Sequence, residues 1–292
     1  MKSQRRELIA GLLFISPWII GFLAFTIYPI IQSFRYSLSD YNVFTGVFTF
    51  AGLKNYQTML TDRTFQISLT NTLYTVFVGV TASTVVALAL ALLMDNKRLK
   101  GQSIFRVVFF IPTLMPLIIS CILWMWILQP DYGLINSLLR LFGATNPPGW
   151  LSSPVWAKPA MILMMVWGCG GSIIIYLAGL QDVPQSLYES ASLDGANFMQ
   201  RTFHITIPII APVMLYNVVT AVIGVFQWFA EPQVMTQGGP NQSTLFYSLY
   251  LYQNAFQFNK MSYASAMAWV LLVICLIIIF FLFKGLNRFS DN

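Results

Sequence analysis

Residues 64–94 read TFQISLTNTLYTVFVGVTASTVVALALALLM, without one Asp, Glu, Lys or Arg. An α-helix needs about 20 apolar residues to cross the hydrocarbon core of a bilayer, and this run exceeds that length. Leu8–Phe34, Val107–Pro130, Pro159–Gln181, Thr202–Ala230 and Met261–Phe283 are equally free of those four residue types. In hydrocarbon every backbone N–H and C=O must find a partner within the protein, which only helices and closed barrels provide. Runs this long, with no alternation of polar and apolar residues, exclude a barrel. The expectation is an all-α, polytopic membrane protein with six transmembrane helices, organised as a single domain over residues 1–292.

Composition agrees. Of the 292 residues, 57% are apolar and only 9% are charged, against about 25% charged in soluble domains. The first run is too long, and too directly joined to the polar segment after it, for a cleaved signal peptide, and no Ala-x-Ala site comes next. Basic residues near the helix ends set the orientation. With the N-terminus inside, the cytosolic face holds Lys2, Arg5, Arg6, Lys97, Arg98, Lys100, Arg106, Arg201, Lys284 and Arg288. The outer face then holds Arg35, Lys54, Arg63, Arg140, Lys158 and Lys260. The imbalance puts both termini in the cytosol. The net charge of +6 is thereby explained by membrane topology and anionic lipid, not by a nucleic-acid partner.

Several chemistries are excluded. Cys121, Cys169 and Cys275 all fall inside the apolar runs, so neither a disulfide nor a metal site is expected. The single histidine, His204, reads as a surface or packing residue. No Gly-x-x-x-x-Gly-Lys-Ser/Thr occurs, so the chain has no P-loop for ATP. No clustered His/Glu/Asp or Ser/Lys set lies within the runs, so no catalytic residue is assigned.

The polar segment at about 182–206, between the fourth and fifth runs, is longer than a connector needs to be. Ser186-Leu187-Tyr188-Glu189 fits a capping box that starts a short helix. Asp194-Gly195 supplies its stop, because Gly tolerates the left-handed backbone that ends helices. A second helical stretch over Ala196–Phe203 then leads to Ile207-Pro208, with Pro208 in the first turn of the fifth span. A short helix lined with small residues and fixed by a sharp turn can seat in a partner's cleft and transmit its movement. An ordinary capped connector lying at the membrane surface would need less.

Glu189, Ala191, Asp194, Gly195, Ala196, Ile207 and Pro208 together resemble the EAA loop of permeases of binding-protein-dependent ABC importers. The resemblance covers nearly the whole chain. It takes in Leu12-Leu13-Phe14-Ile15-Ser16-Pro17 with Tyr28-Pro29, Phe109-Phe110-Ile111-Pro112, and Gly179-Leu180-Gln181-Asp182-Val183-Pro184. It continues through Met235-Thr236-Gln237-Gly238-Gly239-Pro240, Tyr252-Gln253-Asn254-Ala255-Phe256 and Tyr263-Ala264-Ser265-Ala266. Within that family the chain is similar to the maltose-type first permease of the carbohydrate-uptake group. Ser190 stands where the family has the second residue of Glu-Ala-Ala, a small residue for a small one.

The resemblance implies the type I importer permease fold, a second homologous permease, an ATPase subunit pair and an extracytoplasmic solute-binding protein. ATP and Mg would be held by the ATPase and no cofactor by this chain. Glu189, Ser190, Ala191, Asp194, Gly195, Ala196 and Pro208 would form the ATPase-coupling site.

For the solute, Asn217, Thr220, Gly224, Gln227 and Trp228, with Glu231 beyond them, recur at helical spacing on the fifth run. They make a polar, small-residue stripe suited to a hydroxyl-rich solute, or to bonding between helices. Asn71, Thr72 and Thr75 form a smaller cluster that reads as helix–helix bonding. The apolar runs contain no charge for a proton or ion relay, which weighs against the alternative of a secondary transporter or channel working without an ATPase.

Overall fold

The computed structural model describes residues 2–96 and 99–290, with side chains over 10–96 and 99–285. Lys97 and Arg98, which weigh in the orientation expected above, lie outside the described residues, as do the side chains of Lys2, Arg5, Arg6 and Arg288. The chain divides into two units, Met1–Asp62 with Leu251–Leu272 and Arg63–Tyr250 with Val273–Asn292.

In the first unit, Lys2–Phe22, a π turn at Leu23–Ile27 and Tyr28–Ser37 form one helix, α1. Pro29 has no N–H to offer Phe25, and its ring would press on that carbonyl; the widened turn around Phe25 relieves both problems without breaking the helix. A hairpin follows, with strand β1 (Ser39–Tyr41) antiparallel to β2 (Phe48–Phe50) and Asp40 opposite Thr49. Asn42 folds its tip, the Oδ1 accepting from the backbone N–H of Phe44 at 2.9 Å, and Gly46 takes a positive φ of 67°. A short helix, α2 (Lys54–Thr61), returns the chain, and Asn55 Nδ2 donates to the carbonyls of Ser37 (3.0 Å) and Ser39 (2.8 Å). Tyr263 donates to Asp62 Oδ2 at 2.7 Å, and the Trp269 ring meets Phe34 edge-on at 5.0 Å.

The second unit opens with α3, Arg63–Asp95, a single long helix with a π turn at Thr75–Val80. Next come α4 (Gln102–Leu114), α5 (Leu117–Ile127), α6 (Leu134–Leu141), α7 (Ala157–Trp167) and α8 (Gly170–Gln181). Then follow α9 (Gln185–Leu193), α10 (Phe198–Phe226), α11 (Ala230–Met235) and α12 (Tyr247–Tyr252), whose last two residues belong to the first unit. The last helix, α13 (Met261–Ser290), starts in the first unit and finishes in the second.

Among the described residues, four helices are long and apolar enough to cross a membrane: Ala10–Ser37, Arg63–Asp95, Phe198–Phe226 and Met261–Gly285. The third and fourth apolar runs are not straight spans. The third bends by 105° between α4 and α5, and the fourth by 47° between α7 and α8, so six crossings result when each bent pair counts once. Pro116 causes the sharper break. It drives Met115 into extended backbone (φ −78°, ψ 134°), which a helix cannot continue through. Pro112 instead lies inside α4.

α8 is the hub of the second unit, packed against α3, α4 and α10. Ala87 and Ala91 of α3, with Ile173, Tyr176, Leu177 and Leu180 of α8 and Ile210 of α10, form one buried cluster. Small residues matter here because lipid is as apolar as the helix surfaces, so association rests on close packing. Gly170 is the extreme case, since a Cβ there would collide with the backbone carbonyl of Phe109.

Candidate functional site

The segment between α8 and α10 is built by three local devices. Pro184 precedes α9 in extended backbone (φ −58°, ψ 125°) and makes no side-chain cap. The capping box expected on Ser186 is absent, because α9 begins at Gln185 and places Ser186 inside the first turn. Glu189 instead accepts a hydrogen bond from Gln185 Nε2 at 3.0 Å, one turn back on the exposed face. At the other end, Gly195 has φ +76°, its N–H donates to Ser192 O at 3.2 Å, and Ala196 N–H donates to Ala191 O at 2.9 Å. These two bonds are a Schellman stop, which satisfies the last carbonyls of α9 and fixes the exit direction. A reciprocal capping box then starts α10: Asn197 Oδ1 accepts from Gln200 N at 2.9 Å, and Gln200 Oε1 from Asn197 N at 2.8 Å.

The expected second helix and the fifth span are one piece. Phe198–Phe226 runs without interruption through a π turn at Thr202–Thr206 and past Pro208. The π turn surrounds His204, whose carbonyl Pro208 would otherwise crowd, just as the one in α1 surrounds Phe25. His204 is exposed, with Nδ1 3.0 Å from the carbonyl of Gln200.

α9 is held against α10 by side chains. Tyr188 OH and Thr206 Oγ1 lie 2.8 Å apart, Arg201 Nη1 donates to Ser192 Oγ at 2.9 Å, and Ser192 Oγ donates to Tyr188 O at 2.6 Å. Val183, Tyr188 and Ile205 pack on the cluster around α8. Displacing α9 therefore drags the start of α10. Glu189, Ser190, Asp194 and Gly195 are exposed, Ala191, Ala196 and Pro208 half-buried. Large apolar side chains also stand out on this segment: Leu193 is 90% exposed, Phe198 59% and Met199 58%. Attention to small residues passes over these three. Their signal is present in the sequence as bulky apolar residues flanking Asp194-Gly195 in an otherwise polar stretch.

The fifth-span stripe does not stay together. Thr220, Gly224 and Gln227 form an exposed strip, with Thr220 Oγ1 bonded to Tyr216 O at 2.8 Å. Asn217 is buried, its Nδ2 donating to Val213 O at 3.2 Å. Trp228 leaves the strip, stacks obliquely on Phe246 (centroids 5.3 Å apart) and lines a cavity of about 370 Å³. Thr113, Ser120, Met164, Trp167 and Glu231 share that cavity, which lies where the α4–α5 and α7–α8 breaks meet. Glu231 opens α11, and burial raises its pKa above the usual carboxylate value, partly offset by its own backbone N–H and the Trp228 side chain.

Asn71, Thr72 and Thr75 are buried and bonded to protein. Asn71 Nδ2 donates to the carbonyls of Gln242 (2.8 Å) and Leu245 (3.1 Å), and Lys158 Nζ donates to Asn71 Oδ1 at 3.0 Å. Thr72 Oγ1 accepts from Tyr247 N at 2.8 Å. This cluster anchors the loop before α12.

Comparison with known proteins gives the family and the fold. A probable ABC transporter permease of Bacillus subtilis (strain 168), YesP, is 41% identical over 287 residues, covering 97% of this chain and 92% of that one. The arabinooligosaccharides transport system permease AraP of the same organism is 36% identical, covering 92% and 86%. The trehalose/maltose transport system permease MalF of Thermococcus litoralis is 34% identical, covering 93% and 92%. Among solved structures, a chain of a bacterial ABC transporter that imports the acidic polysaccharide alginate superposes with a TM-score of 0.84 at 24% identity, covering 98% of both chains; this shows the shared fold. Residues 83–291 match the family of binding-protein-dependent transport system inner membrane components, and the chain is a membrane permease of that ABC transporter family.

Proposed function

We propose that this chain is one of two permease subunits of an ATP-driven importer for a sugar or related solute. A second, homologous permease would complete the translocation path, an extracytoplasmic binding protein would deliver the solute, and a pair of ATPase subunits would hold ATP and Mg. Both termini and the α9 segment would face the cytosol of a bacterial or archaeal cell. The sugar assignment draws on the substrates named for relatives, among them arabinooligosaccharides, lactose, trehalose or maltose, and sulfoquinovosyl glycerol.

The observation that carries the proposal is the exposed apolar tip on a rigid mount. Leu193, Phe198 and Met199 flank a turn closed by the Gly195 and Ala196 N–H bonds, and its helix is tied to α10. An ATPase cleft that covers these side chains gains their burial, and closure of the ATPase pair then pushes α9 and α10 together. Glu189, Ser190, Ala191, Asp194, Gly195 and Ala196 would form the contact, with Pro208 at the root of the lever. Such a device shifts the population between inward- and outward-facing states through the nucleotide's different affinity for each. The solute path would run along Asn217, Thr220, Gly224, Gln227 and Trp228, with the cavity beside Trp228 as its recognition point.

Gly195→Val tests the coupling. A β-branched residue at φ +76° costs at least ~1–2 kcal/mol in the turn, while open space around Gly195 means that nothing else in the fold is crowded. In proteoliposomes carrying the complete transporter, uptake should fall at least about tenfold per ATP hydrolysed, a loss equivalent to ~1.4 kcal/mol of coupling. Membrane insertion should stay normal. Wild-type uptake by this variant would remove α9 from the coupling path.

A further inference from the structure

The cavity at the two helix breaks holds a group that a solute path does not require. Among the described residues that line it, Glu231 is the only ionisable one. The others supply aromatic faces, hydroxyls, thioethers and backbone. No Lys, Arg or His of the described residues forms an ion pair with it. Its own backbone N–H and the Trp228 side chain bond it within the protein, and the roughly four lone-pair sites of a carboxylate leave it able to accept further from a solute in the cavity.

The surrounding rings are well fixed. Trp167 is held edge-on by Trp124, centroids 5.8 Å apart, and Trp228 is held against Phe246. Two braced indoles give flat apolar faces, and Glu231 gives two acceptor oxygens at the side. Ser120 and Thr113 complete the wall, although Thr113 Oγ1 is already bonded to Phe110 O at 2.6 Å. Such a wall matches a ring that carries C–H bonds on its faces and hydroxyl donors around its rim. A solute with its own carboxylate or phosphate would bring a second negative charge to a site without a cation. It would then face like-charge repulsion, or need to bind with a proton.

We propose that Glu231 is the charge-selecting residue of the solute cavity, accepting hydrogen bonds from a neutral, polyhydroxylated ring and rejecting anionic ones. The inference rests on the cavity beside Trp228 being part of the solute path. It adds a sign to the selectivity that the relatives' names leave open. The binding protein filters solutes first, so the permease's own preference must be read with that protein left out.

The experiment titrates the assembled transporter, in lipid nanodiscs without binding protein, with tritiated disaccharides in matched pairs. Maltose, cellobiose and lactose are the neutral members, each paired with its counterpart carrying one hexuronate. Wild type should bind at least one neutral member about tenfold more tightly than its uronate. Glu231→Gln should narrow that ratio to within about twofold, because the amide keeps the shape and loses the charge. Glu231→Lys should invert it. Trp228→Ala separates the two levels of inference. If Trp228→Ala weakens binding of every disaccharide while Glu231→Gln keeps the wild-type ratio, the cavity stands and the charge-selecting role of Glu231 is overturned. If no pair member binds, or Trp228→Ala changes nothing, the cavity itself is removed from the path and the Glu231 role falls with it. Co-purification of each variant with the other subunits shows that the complex has assembled.

Discussion

Two kinds of helix interruption position the candidate sites of this protein, and they are made in opposite ways. At Asp194-Gly195 the chain turns on bonds made within the turn itself, the Schellman pair and the Asn197–Gln200 capping box. At Met115-Pro116 the break comes from extended backbone before a proline, at Gly168-Cys169 the axis bends by 47°, and a cavity opens beside both. The first is a local structure that presents side chains outward. The second exists only because other elements, Trp124, Phe246 and α11 among them, hold the broken ends apart. A helix end that closes its own hydrogen bonds can act as a rigid handle, whereas one braced from elsewhere can enclose a ligand.

The contrast predicts that damage at the braced break spreads and damage at the capped turn stays local. Gly170→Ala should have the largest effect. Its Cβ would collide with the Phe109 carbonyl, forcing α4 away from α8 at a cost of ~3 kcal/mol or more. The yield of folded protein in detergent and its Tm should both drop sharply; a variant with wild-type yield and Tm would show that the two backbones separate freely.

Asn197→Ala should be milder. Losing half of the capping box costs ~1 kcal/mol, felt at the start of α10 alone. Hydrogen exchange should rise at Phe198–Arg201 and stay unchanged across α8. Faster exchange in α8 would join the two regions that the structure keeps distinct.

The smallest effect concerns Glu231 and has a defined sign. Burial raises its folded pKa above the ordinary value of 4.5, so below that value both folded and unfolded states carry the proton. As pH rises past it, the unfolded state releases the proton first and the folded state loses relative stability. Glu231→Gln removes that loss. Its Tm relative to wild type should therefore be higher at pH 7 than at pH 4, by roughly 2–4 °C per kcal/mol for a unit of this size. A difference that is flat with pH would show that the carboxyl is fully solvated.

Much of this is legible along the chain. Charge-free runs give the spanning helices, because hydrocarbon length and backbone satisfaction leave few options. Asp194-Gly195 gives the turn, because φ +76° suits Gly above other residues. The family pattern, spread over most of the chain, points to the permease that the comparisons show. The start of α9 misleads because Ser186 and Glu189 have capping-box spacing, yet Pro184 in extended backbone lets the helix begin at Gln185. The fifth-span stripe misleads for another reason. Helical spacing puts Asn217, Thr220 and Gly224 near one face, but the spacing cannot say where the helix stops. α10 ends at Phe226, so Trp228 and Glu231 turn away into the cavity.

By itself, then, the sequence determined what each segment is: apolar length demands a spanning helix, and a glycine after an aspartate permits a left-handed stop. Tertiary structure alone decided which polar residues meet. Pro29 and Pro208 are each preceded by a π turn and Pro116 stands at a 105° break, although all three lack the same N–H. Residues near one another in the chain fix such turns and breaks, but contacts such as Trp228 on Phe246, or Asn71 on the Gln242 and Leu245 carbonyls, form only when distant elements pack together.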